Sequence, residues 1–180
     1  MPEIFTIGHS NRPLDVFLRL LQEHGIAQLA DVRKMPRSRY NPQFNSEALA
    51  GALQEIGIGY RHWPELGGMR PKKADSSNMG WRNPSFRAYA DYMQTPPFQA
   101  ALQRLMKDAR RCPTAIMCAE SVPWRCHRSL IADALIAHGW KVTDIMAEGK
   151  SKPHTLTSFA KVEGECVTYP SAEPQLILDI

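Results

Sequence analysis

Short apolar runs alternate along this chain with longer segments whose apolar residues recur every three to four positions, and few folds satisfy that alternation. Ile4-Phe5-Thr6-Ile7 reads as a first strand that exits at Gly8-His9-Ser10. Pro13 to Gly25 carries Leu14, Phe17, Leu18, Leu20 and Leu21 on a helical period, with Pro and Gly as its punctuation. A second strand spans Ile26 to Val32, a helix spans Ser46 to Ile56 with Ser46 as N-cap, and a third strand lies near Ile58 to His62. Helices over Ser85–Met93 and Pro97–Arg110 precede a strand at Thr114–Cys118. A helix over Pro123–His138 and a strand at Lys141–Met146 follow, with short strand candidates near Cys166–Tyr169 and Leu176–Leu178. The expected fold is α/β: a single domain over residues 1–180, with a mainly parallel sheet of about five strands and helices packed on both faces.

That architecture gives the polar residues their meaning. Right-handed crossovers place all parallel strand exits along one edge, where ligands of open sheets bind. The first exit carries His9 and Ser10, and the second carries Asp31 and Arg33, continuing to Arg37 and Arg39. The third has Tyr60, His62, Glu65 and the pair Gly67-Gly68. The fourth has Cys118-Ala119-Glu120 and leads through Arg125 to Cys126-His127-Arg128. His9, Glu120, Cys126 and His127 are the candidate chemists. Ser10, Asp31, Arg33, Arg37, Arg39, Tyr60, Gly67, Gly68, Arg125 and Arg128 are the candidate anion- or substrate-binding residues. Asp31 reads equally as an internal partner that orients Arg33, because buried charges are usually paired. Cys126 reads equally as a small buried hydrophobe.

Arginine outnumbers lysine 14 to 8, and many arginines fall in loops. The planar guanidinium grips carboxylate or phosphate bidentately, which lysine does not. With a net charge of +4, the chain suits an anionic partner, either a small molecule or nucleic acid. If the last long helix starts at Pro123, Cys126, His127 and Arg128 lie in its first turns, where free N–H groups attract anions. The helix dipole contributes only about 0.3–1 kcal/mol, so adjacent arginine or protonated histidine must supply most of any thiol activation. Cys118 to Arg125 is C-x6-R, one residue longer than the C-x5-R phosphate cradle of cysteine phosphatases.

No apolar run approaches the roughly 20 residues of a membrane span, and the start shows no signal-peptide pattern, so a cytoplasmic location is expected. Four cysteines in a reducing compartment are expected as free thiols, metal ligands or catalytic groups rather than as a disulfide framework. The C-x5-C and C-x7-C spacings are not those of a structural zinc site, so no metal is assigned, and the residues name no cofactor. The polar stretch Met69–Pro84, rich in Pro, Gly and Ser, is expected to be a mobile lid. Tyr40, Trp63, Trp81 and Trp124 interleave with arginine in a way that suits base stacking or simple anchoring of loops.

Taken in order, Thr6-Ile7-Gly8-His9-Ser10, Asp31-Val32-Arg33 with Pro36, Ser38 and Phe44, Leu66-Gly67-Gly68, Phe86 with Tyr89-Ala90, Cys118-Ala119-Glu120 and Cys126-His127-Arg128 form a recognisable series. The chain resembles the domain of unknown function 488 family over roughly residues 4 to 160, and His154 also falls where similar proteins place a histidine. The resemblance implies a compact cytoplasmic α/β domain with Cys and Arg signatures and brings no assigned reaction. Three functions remain: an enzyme or ligand-binding protein acting on a phosphate-bearing anion, a non-catalytic nucleic-acid-binding module, and a thiol redox or metal sensor built on Cys118 and Cys126.

Overall fold

The computed structural model describes residues 1–172; the strand expected at Leu176–Leu178 lies outside the described residues. Five strands run parallel: β1 (Glu3–Gly8), β2 (Gln28–Asp31), β3 (Gly59–His62), β4 (Thr114–Cys118) and β5 (Lys141–Ala147). An antiparallel β6 (Lys150–Pro153) borders β5 and completes the order β3-β2-β4-β1-β5-β6. A separate hairpin is formed by β7 (Lys161–Glu163) and β8 (Cys166–Thr168). The α/β class and the mainly parallel sheet follow from the alternation; β6 is the addition. Its residues are all exposed, so it carries no apolar signature to read.

Helices cover both faces. On one, α1 (Leu14–Glu23) and α2 (Ser46–Glu55) bring Phe17, Leu20, Leu21, Leu49 and Leu53 against Ile7, Leu29 and Met117. On the other, α3 (Pro84–Met93), α4 (Pro96–Ala109) and α5 (Arg128–Ala137) pack on Ile4, Val32, Ile116 and Cys118. Adjacent strand residues point to opposite faces, so one β4 supplies both cores and is buried at all five positions. Each fully buried Leu or Phe contributes about 1.5–3 kcal/mol. Asn45, not Ser46, is the N-cap of α2, and its side chain accepts from the Ser38 amide instead of capping.

Two departures shape the site. The helix expected from Pro123 is split: Pro123–Arg125 form a 3-10 turn, Cys126 is extended, and α5 begins only at Arg128. Pro123 fits the first position of a short turn as readily as that of a long helix, so the sequence does not separate the two. The Met69–Pro84 segment is anchored rather than free along its second half. Asn78 is wholly buried, donates to Asp91 and accepts from the Tyr169 amide, while Gly80 donates to the Tyr169 carbonyl.

Candidate functional site

A cavity of about 760 Å³ opens at the carboxyl ends of β1, β2 and β4. Of the candidate residues, His9, Ser10, Arg33, Arg37, Gly68, Cys118, Glu120, Arg125, Cys126 and His127 line it. Asp31 and Gly67 are buried and, like Arg39 and Tyr60, are not part of the lining. Arg128 is wholly buried and does not reach the cavity, which corrects the expectation that it faces bound anion beside Arg33. Lys34 and Met69, the latter the first residue of the expected lid, also line the cavity.

Arg33 is held by Asp31. Its Nε and Nη2 donate to the two carboxylate oxygens at 2.9 and 2.7 Å, and Nη2 also donates to the Phe44 carbonyl at 2.8 Å. Tyr60 donates to the same carboxylate at 2.5 Å, and burial together with this bond raises the phenol's pKa. The guanidinium edge that would grip an anion bidentately is therefore occupied. Its Nη1 turns to His9 Nε2 at 3.3 Å, while His9 Nδ1 donates to the Ser10 carbonyl at 2.7 Å. His9 is thereby a neutral acceptor, stacked on Phe44 at 4.5 Å, its pKa lowered by burial and by the Arg33 charge.

The cysteines lie opposite. The end of β4 and the turn before α5 bring the Cys118 and Cys126 sulfurs into contact as a pair, with Cα atoms 7.2 Å apart. Of the four cysteines, expected as free thiols, metal ligands or catalytic groups, Cys118 and Cys126 are therefore paired, while Cys112 and Cys166 are free. An eight-residue separation says nothing of pairing until strand and helix fix both ends. The Cys126 sulfur lies 3.6 Å from His127 Nδ1 and accepts from the Arg128 amide at 3.5 Å, so it still takes up a free N–H at the start of α5. His127 Nε2 donates to the Val32 carbonyl at 2.8 Å, which fixes the tautomer and leaves the Nδ1 lone pair facing the sulfur. Burial pushes the His127 pKa down to about 4, with the Arg128 and Arg70 charges acting the same way. Gly68 packs on this ring; a Cβ there would come within 3.3 Å of Nδ1.

Arg128 lies beneath the pair. Nη1 donates to Cys118 Sγ at 2.7 Å and to the Glu120 carbonyl, Nη2 to the Ser121 carbonyl at 3.1 Å, and Nε to Thr6 Oγ1 at 3.3 Å. A side chain at Gly8 would collide with both the Glu120 carbonyl and Arg128, so this approach requires glycine. Thr6 donates to Asp144 at 2.5 Å, and His154 bridges Asp144 and Asp133 at 3.1 Å each. Donating from both ring nitrogens makes His154 an imidazolium. Burial opposes that charge, but the two carboxylates outweigh it and raise the pKa to about 9. Asp133 and Asp144 went unremarked in the sequence although a signal existed: each is a lone carboxylate inside an apolar segment, Ser129–Ala137 and Val142–Met146, and such a group needs a buried partner.

The backbone marks the same place. Among the described residues, the non-glycine positions with positive φ are Ser10 (+48°) and Met69 (+60°), and both line the cavity. Such strained residues cluster at functional sites. Among the described residues, no three His, Cys, Asp or Glu side chains are grouped to hold a metal, and no helix is long and apolar enough to cross a membrane.

No curated protein and no solved structure matches the chain. A family model does: it covers residues 13–135, the stretch that supplies Arg33, both paired cysteines, His127 and Arg128, and by that match the chain belongs to the family described as Domain of unknown function DUF488.

Proposed function

We propose that the protein is a cysteine-dependent enzyme acting on a small anionic, phosphate-bearing molecule. The observation that carries this reading is the Cys126 sulfur beside the Nδ1 lone pair of a neutral, tautomer-locked His127 in the cavity wall. Lys34, Arg37 and Arg125 are exposed along the lining, with Glu120 as the acidic exception, so the field at the mouth favours anions. The volume suits a small molecule. His127 takes the thiol proton as Cys126 attacks the electrophilic centre of the bound anion, and the imidazolium so formed returns the proton to the leaving group. With its pKa pushed down to about 4, His127 is neutral at rest, and its Nδ1 lone pair is free to draw the proton from the thiol as the reaction proceeds.

Reduced protein given a brief iodoacetamide pulse near neutral pH tests this. Cys126 is expected to be labelled faster than Cys118, Cys112 or the exposed Cys166, and inorganic phosphate is expected to protect it. His127→Asn should slow the labelling of Cys126 alone. If Cys126 reacts no faster than Cys166, it is a packing residue beneath a binding site and the nucleophile role is wrong.

A further inference from the structure

The proposed reaction uses one sulfur, yet the cavity floor holds two, and the second has a cation of its own. Both cysteines line the cavity, and Cys126, 5% exposed against 1% for Cys118, is the more accessible of the two. Among the described residues no carboxylate forms an ion pair with Arg128, which is nevertheless fully buried. Hydrogen bonding links it to a carboxylate, that of Asp144, only through the Thr6 hydroxyl. Buried charges need a partner, and the atom that Arg128 Nη1 touches at 2.7 Å is Cys118 Sγ.

We propose that Cys126 and Cys118 are the attacking and resolving thiols of a thiol–disulfide exchange site whose substrates are small disulfides bearing carboxylates. This rests on the reading of Cys126 as a nucleophile. Arg128 holds Cys118 as a thiolate in the reduced protein, giving the guanidinium the counter-charge it otherwise lacks. In the first step the Cys126 thiol gives its proton to His127, and its sulfur attacks one sulfur of the substrate disulfide. A mixed disulfide forms on Cys126, and the first substrate thiol leaves with the proton from His127. In the second step the Cys118 thiolate attacks the Cys126 sulfur, and the second substrate half leaves as a thiolate that takes a proton from water. The substrate disulfide is reduced by two electrons and the cysteine pair oxidised by two. An external low-molecular-weight thiol restores the pair by the reverse exchange. The division of labour follows from burial: the attacking sulfur must meet the substrate, whereas the resolving sulfur needs only to reach its neighbour. The basic lining that attracts phosphate attracts the carboxylates of such a disulfide by the same charge.

Fully reduced protein mixed with oxidised glutathione, quenched in acid and read by intact mass and peptide mapping, tests the inference. Wild-type protein is expected to end with a Cys118–Cys126 disulfide and no retained glutathione at that pair. Cys118→Ser is expected to stop with glutathione on Cys126, and Cys126→Ser to take up none at Cys118. The closing step in wild type should persist with little change from pH 8 to pH 6. A roughly tenfold slowing per pH unit over that range, as for an ordinary thiol, would remove Arg128 from the proposal. Glutathione that stays on Cys126 in wild type, or a Cys118→Ser variant that takes up none while iodoacetamide still favours its Cys126, overturns the exchange activity and leaves the nucleophile reading standing. Iodoacetamide labelling of Cys126 no faster than that of Cys166 overturns both.

Discussion

Two buried charge clusters flank the cysteine pair, and they use their arginines in different ways. At the end of β2, Arg33 and Asp31 meet edge to edge, Tyr60 and Phe44 take up what remains, and the charges cancel locally. Under β1 and β5, Arg128 is separated from Asp144 by a hydroxyl, and the carboxylates Asp133 and Asp144 share His154 instead. The first cluster is closed and holds the second loop against the body. The second leaves a buried cation facing a sulfur. A buried arginine thus serves as scaffold when a carboxylate can reach it directly, and keeps its charge for other chemistry when none can.

His154→Ala makes the widest break in this contrast, because it leaves two buried carboxylates without their shared cation. A loss of about 3–5 kcal/mol in urea unfolding is expected. The pH dependence sharpens it. The folded pKa of about 9 lies above the unfolded value of 6.5, so the stabilisation is complete below pH 6.5 and lost as pH climbs through 9. Wild type should weaken across that window and His154→Gln should not; parallel curves would mean that His154 is not charged in the fold.

Arg33→Lys tests the closed cluster. A lysine keeps the charge but cannot span both oxygens of Asp31 and the Phe44 carbonyl, and about 2 kcal/mol should be lost. Binding of inorganic phosphate, followed by calorimetry, should weaken only as far as the loop bearing Lys34 and Arg37 loosens. A large loss of affinity in a variant of unchanged stability would instead put Arg33 in contact with the anion. Tyr60→Phe, which removes a single hydrogen bond to the same carboxylate, should cost about 1.5 kcal/mol by the same measurement.

Salt has the smallest effect and separates the exposed from the buried charges. Raising ionic strength from about 0.01 to 1 M shortens the screening length roughly from 30 to 3 Å. The protection of Cys126 by phosphate, which depends on exposed Lys34, Arg37 and Arg125, should fade severalfold. Exchange closure, which depends on buried Arg128, should hardly change. Equal salt sensitivity of the two would place Arg128 in contact with solvent.

Much of this was legible in the chain, and the exceptions have physical causes. Helix and strand positions were readable because burial on one or both faces imposes a period, as in Phe17, Leu20 and Leu21 or in Thr114–Cys118. The boundary at Pro123 was not, because a turn and a helix start share their first residues. The Met69–Pro84 segment looked like a free lid because its composition is that of a loop, while its anchor, Asn78 on Asp91 and Tyr169, joins residues far apart in sequence.

By itself, then, the sequence determined the α/β alternation, the family, and the gathering of His, Arg, Glu and Cys at one edge of a parallel sheet. These depend on local periodicity and on the direction that each crossover imposes, both properties of consecutive residues. Only the tertiary structure decided which of those residues meet. Arg33 turned inward to Asp31, Arg128 passed beneath the cavity to Cys118, and two cysteines eight residues apart came together. Side chains several ångströms long choose partners by distance and by the cost of leaving a buried charge alone, and neither quantity exists until the strands have been placed side by side.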